Sequence, residues 1–155
     1  MSPTDSDNTR ENVHLIPLNW NEVSQSSSEA TEWLREVNAT RILAADVVYD
    51  PDLVGPLADT LRAALIGSGD PSRYPVGQDW NNDLPFALVS STVRNPATYQ
   101  AFLDALHSRG LRWKLSDTPR PIWPNTGEHP LPLFPSTHDP ELGGHVEIVC
   151  IQLQP

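Results

Sequence analysis

Cysteine is nearly absent from this chain, which has Cys150 alone among its 155 residues. A single cysteine excludes an intrachain disulfide and favours a reducing compartment. No apolar run approaches the ~20 residues that span a bilayer, and no stretch has the pattern of a secretory signal. We therefore expect a cytoplasmic protein, with a nuclear location left open and no membrane partner.

Basic residues are also scarce, with 10 Lys and Arg against 20 Asp and Glu and a formal net charge of -10. Nucleic-acid binding depends on Lys and Arg that neutralise phosphates, so we expect no nucleic-acid partner. Metal-ligand spacing is missing too. His129, His138, His145 and Cys150 form no pair at ligand spacing, which predicts no metal site.

Proline, in contrast, is abundant, with 16 in the chain. Seven of them fall between positions 117 and 140 and predict a loop-like, proline-rich insertion over residues 117–144. Residues 1–11 are polar and predict a disordered N-terminal tail. With 38% hydrophobic residues, residues 12–155 are expected to form one globular domain.

Hydrophobic periodicity predicts alternating strands and helices in this domain. The run "RILAADVV" (41–48) is almost continuously apolar, as in a strand buried on both faces of a sheet. Asp50 and Pro51 predict the start of a helix that ends at Gly67, and Asn95 and Pro96 predict a second one. The remaining predicted elements are strands at 12–20, 85–92, 111–115 and 145–153, a short helix after residue 28, and a helix stop at Gly110.

This order predicts βαβ crossovers and a mainly parallel, doubly wound α/β sheet. The last two strands have no helix between them, so we expect them to pair antiparallel at one side. In open α/β sheets, ligands bind beyond the carboxyl ends of the strands. Two such ends carry polar groups, namely Asp46 to Tyr49 and Ser90 to Pro96, which would face one cleft if their strands are neighbours.

Each candidate also has a structural interpretation. Asp46 could accept backbone N–H groups in a turn, and Tyr49 could be a core aromatic with a solvated hydroxyl. Asn95 is well placed to be only a helix cap. Spacing by itself favours these structural interpretations over a catalytic one.

Several segments, taken in order, resemble one enzyme family. The segment "ILAADVVYDPDLVGPLADTLRAAL" resembles the post-II segment of the family 16 lysine methyltransferases, whose Asp-x-x-Tyr motif matches Asp46-Val47-Val48-Tyr49. The segment "STVRNPATYQAFLDAL" resembles the fifth strand and following helix of the branch that methylates elongation factor 2. The segment "VHLIPLNW" resembles the third strand, whose Leu-x-Trp pattern matches Leu18, Asn19 and Trp20.

The resemblance implies a Rossmann-like class I methyltransferase sheet with an antiparallel C-terminal strand. Its cofactor would be S-adenosylmethionine and its substrate a lysine of a protein such as elongation factor 2. By family analogy, Asp46 and Tyr49 would be catalytic, and Asn19, Trp20, Ala45 and Asp46 would bind cofactor. Arg94 and Asn95 would orient the substrate.

The chain departs from the family before residue 12. The family's glycine-rich loop and the acidic residue that holds the cofactor ribose have no counterpart there. We therefore expect a partial methyltransferase domain whose sheet lacks its first two strands, and which is inactive as an isolated chain. The alternatives are a non-catalytic methyltransferase-like binding or scaffold module, or an unrelated α/β protein of similar pattern.

Overall fold

The computed structural model describes residues 15–25, 28–67, 80, 83–116 and 146–154. The predicted tail, 1–11, and the predicted proline-rich insertion, 117–144, lie outside these residues. Within the described residues, four helices and four strands follow one another in mixed order. They are α1 (Trp20–Ser24), α2 (Ser28–Val37), β1 (Arg41–Ala45), α3 (Pro51–Gly67), β2 (Phe86–Thr92), α4 (Pro96–Ser108), β3 (Leu111–Leu115) and β4 (Val146–Leu153). The predicted α/β class is confirmed.

The two long helices begin and end where the sequence predicts. Helix α3 begins at Pro51, and the Asp50 carboxylate accepts a hydrogen bond from the N–H of Asp52 at 2.9 Å. A side chain at Gly67, its last residue, would place a Cβ 2.7 Å from the Cα of Arg35. Glycine is thus required there because the end of α3 lies directly against α2. Helix α4 is followed by Gly110, whose φ of +68° suits glycine.

The four strands form one sheet in the order β1-β2-β4-β3. Only β1 and β2 pair in parallel, whereas β4 pairs antiparallel with both β2 and β3. The prediction that the last two strands pair antiparallel is therefore confirmed. The prediction of a mainly parallel sheet is wrong, because β4 lies between β2 and β3 and turns two of the three pairings antiparallel.

The described helices pack against one face of this sheet. The register places Ile42, Ala87 and Ile151 side by side on that face, and the buried core joins them to α3 and α4. Helices α1 and α2 pack in turn on α3 through Val23, Leu34 and other apolar side chains. When successive crossovers have the same handedness and each moves further across the sheet in the same direction, their helices lie on the same face. The doubly wound arrangement that we predicted, with helices on both faces, is therefore not what the described residues form.

Strand β1 is the first strand at one edge of the described sheet, and its burial alternates. Ile42 and Ala44 contact the core, whereas Leu43 is 77% exposed. The prediction of a strand buried on both faces is thus wrong for β1. Its apolar run continues into Val47 and buried Val48, which lie beyond the strand and reach the core. The continuous apolar run at 41–48 therefore contains two different structures, the strand β1 and the turn that follows it.

The predicted strand at 12–20 is wrong in its described part. Residues 15–19 form no regular element, and helix α1 begins at Trp20. Asn19 caps that helix, since its side chain accepts a hydrogen bond from the N–H of Asn21. Pro17 lacks the N–H that a strand would contribute to a ladder, and Leu15 is almost fully exposed. The helix cap at Asn19 therefore explains why a helix begins at Trp20, where we predicted the end of a strand.

Candidate functional site

The carboxyl end of β1 is marked by an unusual backbone conformation at Asp46. Its φ is +53°, in the left-handed region that few side chains other than Asn and Asp adopt. The Asp46 N–H donates a 2.8 Å hydrogen bond to the Ser90 carbonyl on β2, which holds the turn against the sheet. Such strain at a strand end motivates a hypothesis of function.

Arg94 contacts Asp46 from the neighbouring strand end. Its Nη2 lies 3.3 Å from Oδ2 of Asp46, across the parallel pair that aligns Ala45 with Ser90. We expected the ends of these two strands to face one cleft if the strands are neighbours, and they are neighbours. Both side chains are more than half exposed, so the pairing is weak and readily exchanged for another partner.

Asn95 is a helix cap. Its side-chain oxygen accepts a 3.0 Å hydrogen bond from the N–H of Ala97, and Pro96 occupies the first turn of α4. Its carbonyl also accepts from the N–H of Tyr99. The structural interpretation therefore explains why this residue is an asparagine, and its proposed substrate-orienting role has no contact that requires it.

Tyr49 lies three residues beyond Asp46 and is 62% exposed. The intervening Val48 is buried in the core, with Val47 packed against it. The pair of valines anchors the turn, and Tyr49 extends from it toward solvent. The prediction that Tyr49 is a core aromatic does not hold, so its ring is available to a ligand or partner.

The remaining predicted cofactor residues lie on two elements. Asn19 caps α1 and donates from Nδ2 to Oε1 of Glu22 at 3.0 Å. Trp20 is half-buried and packs against the same core cluster that Val47 contacts. Ala45 is exposed at the end of β1. Of these three residues, only Trp20 shares the core cluster with the turn that follows β1.

A second polar group lies beneath the end of β2. Ser91 is buried and pairs in register with Glu147 of β4. Burial first, and then the negative charge of nearby Glu147, raise the pKa of Tyr99 far above its ordinary range. Tyr99 therefore stays protonated at neutral pH.

Sequence reasoning missed a polar cluster that joins the helices. Arg109 pairs with Asp59 of α3 through two contacts, Nε to Oδ1 at 2.6 Å and Nη2 to Oδ2 at 3.0 Å. The Ser24 hydroxyl donates to the same carboxylate at 2.9 Å. Burial pulls the pKa of Asp59 upward, but these hydrogen bonds and the nearby arginines outweigh it and hold the pKa below its usual value. No sequence signal connects residues 50 positions apart.

The described residues bear on two further features, a metal centre and a membrane span. Within those residues, no group of three His, Cys, Asp or Glu side chains could hold a metal ion, and the three histidines considered above lie elsewhere in the chain. Cys150 is buried, and burial raises the pKa of its thiol. In the same part of the chain, no helix is long and apolar enough to cross a membrane.

Comparison with known proteins gives no family for the chain. Neither a scan against protein-family models nor a search of curated proteins returned a match. The function is therefore inferred from the geometry at the ends of β1 and β2. An exposed carboxylate, held only loosely by Arg94, with an exposed phenol three residues on, is chemically suited to binding a cationic amine.

Proposed function

We propose that this chain carries the carboxyl-terminal part of an S-adenosylmethionine-dependent protein-lysine N-methyltransferase, with Asp46 and Tyr49 on the amine side of the site. The observation that carries the proposal is the strained Asp46, which ends the one parallel edge strand and contacts Arg94 from the next strand end. In that position its carboxylate would accept hydrogen bonds from the target lysine.

The sheet supports this assignment as well. A class I methyltransferase sheet ends in a reversed strand, and in this chain β4 is the strand that opposes the other three. The two described crossovers, β1-α3-β2 and β2-α4-β3, with their helices on one face, are also compatible with the carboxyl-terminal half of such a sheet. Methyl transfer depends chiefly on orienting the amine against the sulfonium in a dry site.

The chain's own residues would supply orientation and charge. Asp46 would hold the amine and Tyr49 would close over it, while Arg94 would leave the carboxylate as the amine arrives. Trp20 would offer an aromatic surface to the cofactor's adenine, beside Asn19 and Ala45. S-adenosylmethionine, when bound, supplies the electrophilic methyl group. Elongation factor 2, or a protein like it, is the substrate that the resemblance suggests.

The exposure of the site favours a second candidate. Asp46 and Tyr49 are both more than half exposed, whereas methyl transfer needs water to be excluded. Among the residues that the structure describes, no glycine-rich loop of the family type follows a strand. A non-catalytic methyltransferase-like binding or scaffold module would keep the amine-binding carboxylate without catalysis. In either case we expect the isolated chain to transfer no methyl group.

Titration of the ¹⁵N-labelled chain with S-adenosylmethionine, followed by NMR, tests the proposal. We expect weak binding, with a Kd on the order of 1 mM, and shifts centred on Asn19, Trp20, Ala45 and Asp46. ATP shares the adenosine but lacks the sulfonium, and it serves as the control ligand. Shifts elsewhere, or equal shifts with ATP, would overturn the methyltransferase assignment and leave the scaffold module as the better account.

A further inference from the structure

A groove of about 450 Å³ lies between the segment before α1 and helix α2. Its apolar lining comes from residues 16–18 and from α2, and includes Ile16, Leu18 and Trp33. Ile16 and Leu18 are exposed although both are large aliphatic side chains. Exposed apolar side chains that line a concave surface are typical of interaction sites.

The groove carries charge of one sign. Four glutamates line it, Glu22 from α1 and Glu29, Glu32 and Glu36 from α2, and its described lining includes no Lys or Arg. Within the described part of the chain, none of the three α2 glutamates pairs with a cation. Their spacing of three and four residues places them on one face of the helix, where like charges repel and cost stability.

We infer that this groove binds a basic segment of another protein, with an apolar side chain flanked by Lys or Arg. The apolar side chain would pack on Leu18 and Trp33, and the flanking cations would meet the glutamates of α2. A partner of that chemistry relieves the repulsion among the glutamates. The inference does not require methyl transfer, because Asp46 takes no part; Asn19 lines the groove and is the residue that it shares with the proposed cofactor site.

Charge also argues against a second copy of the chain as the occupant. Each copy has a formal net charge of -10, so two copies repel one another over the whole approach. The acidic groove of one copy would therefore face the acidic surface of the other. A basic segment instead gains attraction at long range and a neutralised contact at short range.

Fluorescence anisotropy with the labelled peptide Gly-Lys-Arg-Leu-Lys-Arg-Gly tests the inference at about 0.15 M salt. The double variant Glu29→Gln/Glu36→Gln removes two groove charges. The matched control Asp52→Asn/Asp104→Asn removes two exposed charges on α3 and α4. We expect the groove variant to weaken binding about fivefold or more, and the control variant to change it by less than about twofold.

A change in the peptide tests the same contact without altering the protein, so folding of a variant cannot affect the result. Replacing the peptide's Leu by Ser should also weaken binding to the unchanged protein, because the apolar contact with Leu18 is lost. Thermal melting should show the groove variant at least as stable as the native chain, since it relieves like-charge repulsion. Equal weakening by both double variants, no effect of Leu to Ser, or no binding at all would overturn the inference.

Discussion

Two aspartates in this fold each have an arginine partner, and the two pairs differ in almost every respect. Asp59 and Arg109 meet through two short contacts, with less than a third of each side chain exposed. Asp46 and Arg94 meet through a single contact of 3.3 Å, with more than half of each side chain exposed. The first pair fastens helices, and the second leaves a carboxylate available at a strand end.

The surroundings of the two carboxylates explain this difference. Asp59 also accepts from Ser24, and Arg62 donates from Nε to the Arg109 carbonyl at 2.9 Å, so three elements meet there. At Asp46 the backbone is fixed by the hydrogen bond from its N–H to the Ser90 carbonyl, while the carboxylate is held only by its single contact with Arg94. A ligand could therefore displace Arg94 at small cost, but not Arg109. The comparison separates a structural ion pair from a candidate binding group.

The largest effect is expected from Arg109→Ala. It leaves the part-buried Asp59 carboxylate without its two-point donor, and we expect a loss of about 2 kcal/mol in the free energy of unfolding. Urea denaturation measures it. Arg109→Lys keeps the charge but not the planar fork, and it should fall between the alanine variant and the native chain. A loss below about 0.5 kcal/mol would place this pair with the weak surface pairs.

Acid should act on the Asp59 pair next. The folded pKa of Asp59 is held below its unfolded value. Its contribution is therefore complete above the unfolded pKa and disappears as the pH falls through the folded one. We expect the unfolding free energy of the native chain to fall more steeply in that acidic window than that of Asp59→Asn. Parallel curves from urea titrations at several pH values would contradict this role.

A smaller effect is expected at the strand end, from the backbone of Asp46. Asp46→Ala places alanine at a φ of +53° and should cost about 1 kcal/mol. Asp46→Gly removes the same carboxylate but accepts that conformation, so it should be more stable than the alanine variant. Thermal melts of the two variants measure the difference. Equal stabilities would show that the backbone stores no strain there.

The smallest effect is expected from Arg94→Gln, which removes the exposed partner of Asp46. We expect a change within about 0.5 kcal/mol in the free energy of unfolding, because exposed single-contact pairs contribute little. The same urea experiment compares it directly with Arg109→Ala. A loss comparable to that of Arg109→Ala would remove the distinction between the two pairs.

Local signals in the sequence predicted much of this fold. The Asp50-Pro51 and Asn95-Pro96 pairs located the starts of α3 and α4, because cap and first-turn chemistry depends only on neighbouring residues. The strand at 111–115 matches β3, and those at 85–92 and 145–153 match β2 and β4 within one residue. The α2 glutamates could also have been recognised as one helix face from their spacing.

Long-range relations could not be obtained in this way. The position of β4 between β2 and β3 depends on which edges remain available after the other strands pair, and no local pattern encodes that. Asp46 and Arg94 lie at adjacent strand ends. The sequence predicted this proximity only on the condition that their two strands are neighbours. The contact of Asp59 with Arg109 follows from helix packing. The methyltransferase function remains a prediction, since no comparison tests it.

The place of β4 in the sheet has a consequence for the order in which the chain assembles. Strands β2 and β3 are synthesised before β4, which lies between them in the sheet and pairs with both. Until residues 146–153 emerge, β2 presents an unpaired edge, and its apolar residues lack Val149 and Ile151 across the ladder. The β2 edge that pairs with β4 is thus among the last to find its partner, and an unpaired strand edge is a site of mispairing with other strands.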